Sequence, residues 1–188
     1  MDDEEITALA LAARRGDERA SAQFVRATAP QLRRVLVHLG GGGDADDLVQ
    51  ETYLRAFRAL PRYGRRAPAR LWLLAIARRV AADHVRAAMR RPRTTAVDEE
   101  VLTRLHPSTG PAGAIAVTDL ITRLDPERRE AFVLTRVAGL SYAQAAELCG
   151  CPVGTIRSRV HRARMDLVAA VEAAEGPDDG APAATAHP

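Results

Sequence analysis

The sequence contains no lysine: all 27 of its basic residues are arginine, set against 24 acidic residues. Arginine at a single position therefore reflects the whole chain and does not by itself mark a phosphate-binding or carboxylate-binding site. Aromatic residues are scarce, with three Phe, three Tyr and one Trp, so the cores must rest on Leu, Val, Ile and Ala. Cys149 and Cys151 are the only cysteines. A Cys-x-Cys pair is too close for ordinary zinc-knuckle spacing and has no clustered partners, so no metal site is expected. No run is long and charge-free enough to span a membrane, and the opening MDDEEITALA is acidic where a secretory signal is basic. A cytoplasmic protein without stable membrane insertion is expected. No segment alternates like a strand and no internal repeat is visible, which leaves an all-α chain.

What is present is densest between Leu140 and Leu167, LSYAQAAELCGCPVGTIRSRVHRARMDL. Ser141 caps a short helix over Tyr142 to Leu148, with Ala143, Ala146 and Leu148 as its inward face. Gly150 supplies a permissive turn position, and Pro152 suits the opening of the next helix, where its missing N–H costs nothing. Ile156, Val160, Ala163 and Leu167 recur at three- and four-residue steps and form one apolar face. Thr155, Arg157, Ser158, Arg159, His161, Arg162 and Arg164 occupy much of the remaining circumference. That is the layout of a helix-turn-helix whose second helix enters a DNA major groove. The plainer alternative is a helical hairpin with a basic solvated face.

Upstream, Ile6, Leu9, Ala10 and Ala13 predict a first helix ending at Gly16. A second runs from Asp17 to about Thr28, and Leu32, Val35, Leu36 and Leu39 line a third, stopped by Gly40 to Gly43. Asp44 caps the next helix, DADDLVQETYLRAFRAL. Val49, Tyr53, Ala56 and Leu60 form its inner face, widened by Leu48, Thr52 and Phe57. Asp47, Gln50, Glu51, Leu54 and Arg58 lie opposite, a polar stripe with a leucine in its middle that suits a partner as well as it suits solvent. No histidine or metal-ligand set accompanies Asp47 and Glu51, so a catalytic use of that carboxylate pair is not expected.

PRYGRRAPAR, residues 61–70, is too rich in Pro and Gly to be regular helix throughout. It holds Arg62, Tyr63, Arg65, Arg66 and Arg70, and a mobile basic loop with an aromatic ring suits single-stranded nucleic acid. The helix that follows, ended by Pro92, buries Leu74, Ala77, Ala81, Val85 and Ala88. It carries Arg79, Asp83, Arg86 and Arg90 outside, with Arg78 beside them. Asp83 is expected to fix Arg79 or Arg86. Between Arg55 and Arg93 stand twelve arginines and one acid, a surface that calls for a polyanion.

From Thr94 to about Pro111 the periodicity fades. A helix over Ala114 to Leu124 follows, then one capped by Asp125 with Pro126 at its first position. The end, GPDDGAPAATAHP, reads as a disordered tail. The division expected is 1–93 as one small helical domain, 94–113 as a flexible linker, 114–171 as a second domain with the helix-turn-helix, and 172–188 as tail.

Three segments in this order, DADDLVQETYLRAFRAL, ARLWLLAIARRVAADHVR and LDPERREAFVLTRVAGLSYAQAAELCGCPVGTIRSRVHRAR, resemble the extracytoplasmic-function sigma factors of the sigma-70 family, and within it the actinobacterial sigma C-type group. The resemblance spans roughly residues 5–170. It implies a promoter-specificity subunit of bacterial RNA polymerase that binds core polymerase and both duplex and single-stranded promoter DNA. No cofactor and no catalytic residue are implied, and an anti-sigma factor becomes a candidate partner. Residue by residue, it implies polymerase docking through Asp47, Gln50, Glu51 and Leu54. It gives capture of the unpaired −10 strand to the 61–70 loop and the start of the next helix with Trp72, and to Arg78, Arg79, Arg86 and Arg90 along that helix. Reading of the −35 element falls to Thr155, Arg157, Ser158, Arg159 and Arg162. Arg79 stands where many relatives have Asn, and the Pro- and Arg-rich loop departs from their Ser, Glu and Phe. Those differences bear on the −10 base preference.

Two rival readings set this one in relief. A one-component helix-turn-helix regulator would need a sensor domain in residues 1–95, yet that half carries 18 arginines against 11 acids. An adaptor or RNA-binding protein would use both basic blocks without promoter specificity.

Overall fold

Asp2 begins the first helix, α1 (Asp3–Arg14): its carboxylate accepts the Glu5 N–H at 2.8 Å while its own N–H donates to the Glu5 carboxylate, also at 2.8 Å. This reciprocal cap satisfies donors that the first turn would otherwise leave unpaired. Ile6, Ala10 and Ala13 are buried, and Gly16, at φ +94°, turns the chain where an L side chain would be strained. The computed structural model describes residues 1–40, 44–90 and 112–175, and all regular structure among them is helical. The expected tail beyond residue 175 and the linker up to residue 111 lie outside the described residues, as do Gly41 to Gly43.

The two helices expected between Asp17 and Leu39 are one, α2 (Glu18–Leu39), which runs straight through Pro30. Proline removes one backbone bond from a helix and crowds the preceding turn. Pro30 is exposed, so water can serve the freed carbonyl. Meanwhile Phe24, Thr28, Leu32, Val35 and Leu36 bury a continuous stripe on both sides of it. Tertiary burial overrides the local break.

Next come α3 (Ala45–Ala59), a single 3-10 turn (Leu60–Arg62) and α4 (Ala69–Arg90). Helices α1 to α4 pack together with α2 in the middle, touching α1, α3 and α4. The inner face of α4 is Leu71, Leu73, Leu74, Ala77, Val80 and Ala81; Val85 is only half-buried and Ala88 is exposed, so the last turns project from the bundle. Gly40 closes α2 where Leu48 of α3 crosses it. A Cβ there would collide with Leu48 Cδ1 and lie 2.9 Å from the Leu36 carbonyl oxygen. Gly40→Ala should therefore destabilise the protein by about 1–3 kcal/mol through overpacking, although Gly→Ala at an unstrained site normally stabilises. Thermal unfolding checks this, with a lowered midpoint expected.

The second cluster holds α5 (Ala112–Arg123), α6 (Pro126–Phe132), a π-turn (Val133–Val137), α7 (Tyr142–Cys149) and α8 (Val153–Glu175). Asp125 caps α6 through the N–H groups of Glu127 and Arg128, with Pro126 at its first turn, as expected. Ser141 caps α7 in a second reciprocal box with Gln144. Gly150 sits in the left-handed region at φ +66° and turns the chain into α8. Ala145 and Ala146 are the buried pair of α7, whereas Ala143, expected inward, is exposed. A helix of eight residues buries too narrow a strip for periodicity to fix its phase. On α8 the expected face holds: Ile156, Val160 and Ala163 are fully buried and Leu167 is half-buried.

The two clusters share a continuous core, joined where α2 lies against α5, α6 and the π-turn. Polar groups fasten the same seam. Gln31 Nε2 and Arg70 Nη1 both donate to the Ala138 carbonyl, at 2.8 and 3.1 Å. Arg78 grips Glu130 with Nε at 2.5 Å from Oε1 and Nη2 at 3.3 Å from Oε2.

Candidate polymerase and nucleic-acid interfaces

Helix α3 turns Leu48, Thr52 and Ala56 into the core, with Val49 and Tyr53 beside them half-covered. The opposite side presents Asp47, Gln50 and Leu54 to solvent, Leu54 with 47% of its surface exposed. Phe57, expected to widen the inner face, lies outside, three residues from Leu54, and its ring centroid is 6.3 Å from that of Tyr53. Its position at the edge of the inner stripe left periodicity unable to assign it. Glu51 is half-exposed and bonded to Arg55 at 2.7 Å. Arg55 also reaches Asp83 at 2.6 Å, and Asp83 bonds Arg86 at 2.5 Å. Asp83 thus fixes Arg86 as expected, with Arg55 in place of Arg79. Hydrogen bonds from Arg55 and then Arg86 hold its carboxyl below the usual range.

The 61–70 loop is tied to its neighbours by packing and hydrogen bonds. Tyr63 is buried, with 4% of its surface exposed; its hydroxyl donates to the Ala67 carbonyl at 2.7 Å, and its ring centroid is 4.9 Å from that of Trp72. The expectation of a loop ring free to stack on a base is corrected here. A tyrosine among arginines reads as a stacking platform, yet this ring fills the space between loop and α4. Trp72 is half-buried beside it.

The arginines divide into three groups. Arg62, Arg66, Arg79 and Arg90 are exposed and make no ion pair among the described residues. Arg65, in the left-handed region at φ +55°, pairs with Glu4, and Arg86 pairs with Asp83, both at the surface. Arg70 and Arg78 are drawn inward, Arg70 in a fork with Asp3 (2.6 and 3.2 Å) and Arg78 onto Glu130.

Along α8, Arg157, Ser158 and Arg162 are exposed and Thr155 is half-buried. Arg159 is held from two sides, by Glu127 and by the Cys151 sulfur, 3.8 Å from Nη1. Arg128, which sequence reasoning did not single out, stands beside them and bonds Asp166 at 2.7 Å. Arg128, Thr155, Ser158, Arg159 and Arg162 share an open cleft of about 310 Å³ with Asp125 and Glu127. No spacing rule links residues 127 and 128 to residues 159 and 166, so only the packing of α6 on α8 reveals these pairs. Cys149 lies 3.6 Å from Glu130, and burial, reinforced by that carboxylate, pushes its thiol up to about 12. Such a thiol is not a reactive one.

Against known proteins, residues 24–91 match Sigma-70 region 2 and residues 114–167 match Sigma-70, region 4. The chain is a sigma factor, a protein that works by binding and is not an enzyme. It belongs to the extracytoplasmic-function sigma factors of the sigma-70 family, and it is 51% identical over 180 residues to the ECF RNA polymerase sigma factor SigC of Mycobacterium tuberculosis and to the probable sigma-C factor of Mycobacterium bovis, covering 95% of each chain. Identity to the ECF sigma factor EcfG of Rhodopseudomonas palustris is 39%, over 82% of this chain and 89% of that one. Among solved structures, CnrH in complex with the cytosolic domain of CnrY superposes with a TM-score of 0.68 at 29% identity, over 92% of this chain and 99% of CnrH. The sigma factor RpoE of Bartonella quintana, bound to the anti-sigma factor NepR, gives 0.65 at 28% identity, over 80% and 95%. Among the described residues no helix is long and apolar enough to cross a membrane.

Proposed function

We propose that this sigma factor divides promoter recognition among three surfaces. The outer stripe of α3, with Asp47, Gln50, Glu51 and Leu54 and now Phe57, docks on core polymerase. Arg62, Arg65 and Arg66 of the loop, with Arg79, Arg86 and Arg90 of α4, hold the unpaired −10 strand. Helices α7 and α8 act as a helix-turn-helix that reads the −35 duplex through Thr155, Arg157, Ser158, Arg159 and Arg162. The observation that carries this reading is the two-faced α8: Ile156, Val160 and Ala163 are sealed in the core while Arg157, Ser158 and Arg162 are bare on the other side. Phosphate contacts from such a face set register, and base-edge contacts set sequence.

Arg70 and Arg78 have a different part. In this arrangement their guanidiniums are engaged across the seam between the clusters, so Arg78 meets DNA only after its fork with Glu130 opens. An anti-sigma factor is the regulatory partner in keeping with the resemblance, since the Bartonella relative was solved with one. The test is a footprint with and without core polymerase. The free chain should protect promoter DNA weakly and the holoenzyme should protect the −35 and −10 elements together, because each basic surface alone is too small for a tight specific site. Tight sequence-specific protection by the free chain would instead favour a one-component regulator.

A further inference from the structure

Helix α1 lies outside the segment that matches Sigma-70 region 2, which begins at residue 24. Yet it holds the loop that the preceding section assigns to the −10 strand, at three points along its length. Near its start, the Asp3 carboxylate takes both Nε and Nη2 of Arg70. One turn on, the buried Thr7 hydroxyl donates to the Asp3 carbonyl at 2.6 Å and accepts the Ala69 N–H at 3.0 Å. At its end, Arg14 Nη1 donates to the Tyr63 carbonyl at 2.9 Å.

These contacts have a pattern. They all fall on the two ends of the 63–70 segment, two on backbone atoms and one on a largely covered arginine whose side chain is 20% exposed. The Ala69 N–H opens α4, where helix donors have no intrahelical partner, and Thr7 is the group that satisfies it. A fourth contact, Glu4 to Arg65, joins two exposed side chains and contributes little. Fixing both ends of this short segment holds the backbone that carries Arg65 and Arg66, and that follows directly on Arg62, in one arrangement before a strand binds, and backbone order secured before binding is affinity kept.

We propose that α1 is a positioning element for −10 strand capture, with Asp3, Thr7 and Arg14 as its positioning residues. This rests on the assignment of the loop to the unpaired strand. Hydrophobic cover alone, through Ile6, Ala10 and Ala13, would also explain why α1 is present, and the two roles part company at Thr7. Thr7→Val keeps the shape and volume but strands the Ala69 N–H, whereas Thr7→Ser keeps the oxygen that accepts it.

The experiment uses holoenzyme assembled from the full chain and core polymerase on a promoter that the wild-type holoenzyme opens, with permanganate reactivity of −10 thymines as the readout. Thr7→Val should slow opening about tenfold, the effect of an unpaired buried donor. Thr7→Ser should recover most of it, and core association and binding to a −35 duplex should stay within about twofold of wild type. Combined with Arg66→Ala, the loss should be smaller than the product of the single losses, because both changes act through one loop. Wild-type opening by Thr7→Val would overturn the proposal. So would a parallel fall in opening, core association and −35 binding, which is the mark of lost folding alone. Should Arg62→Ala, Arg65→Ala and Arg66→Ala together leave opening intact, the strand-capture reading itself falls, and the role of α1 falls with it. If they slow opening while Thr7→Val does not, only the role of α1 is lost.

Discussion

Exchanging Glu51 for Arg and Leu54 for Asp in the same chain should abolish detectable association with core polymerase, a loss of at least about a hundredfold, while the circular dichroism spectrum stays helical. The size follows from interface energetics: two residues at the centre of the proposed docking stripe cost about 3 kcal/mol or more between them when one is reversed in charge and the other made polar. The fold should tolerate both changes. Leu54 is half in solvent already, and the Glu51 to Arg55 pair has side chains 39% and 40% exposed, so it contributes only a fraction of a kcal/mol. Phe57→Ala refines the test, because that ring stands on the same exposed side and should weaken association about tenfold if it enters the interface. A pull-down on immobilised core enzyme measures both variants. Unchanged capture by the double variant would mean that the docking surface is elsewhere.

The second large effect separates reading from melting. Arg157→Ala should weaken closed-complex binding by about 1–3 kcal/mol if the lost contact is a bidentate base contact. Arg159→Ala should weaken it as well, and in addition it frees Glu127 from its partner, leaving a carboxylate at the cleft proposed to face DNA. Neither defect should be relieved by a template whose −10 region is already mismatched. Changes at Arg62, Arg65 and Arg66 should instead impair opening on intact duplex, and premelting should rescue part of that defect because the strand-separation cost has been removed. Permanganate reactivity measured beside filter binding distinguishes the two classes. Equal rescue of both by premelting would sink the division of labour between loop and α8.

How much of this was legible beforehand depended on how far each pattern reached. The face of α8 was readable because four apolar residues at helical spacing leave only one way to bury a 23-residue helix. The caps at Asp17, Asp44, Asp125 and Ser141 were readable too, since a side-chain oxygen before an apolar run has one common use. The union of two expected helices across Pro30 was not. Its cause is the burial of Phe24 on one side and Leu32 on the other against partners distant in sequence. Tyr63 deceived for a related reason: residue type suggests what a ring can do, and only packing decides which of its surfaces is free. The grip of α1 on the loop joins residues about 50 to 70 positions apart, beyond the reach of any local signal.

The π-turn at Val133–Val137 leaves the Ala138 carbonyl pointing at α2 and α4, where Gln31 and Arg70 share it. An acceptor that belongs to the main chain has no side chain to mutate. A substitution that fits the buried position 138 leaves it in place, whereas a single-residue insertion or deletion in the preceding turn would rotate it away. Chimeras that join this N-terminal half to a foreign C-terminal half should therefore be sorted by the length of that turn before their overall identity. A donor half with a plain α-turn would supply a matching last helix and still meet Gln31 and Arg70 with nothing to hold.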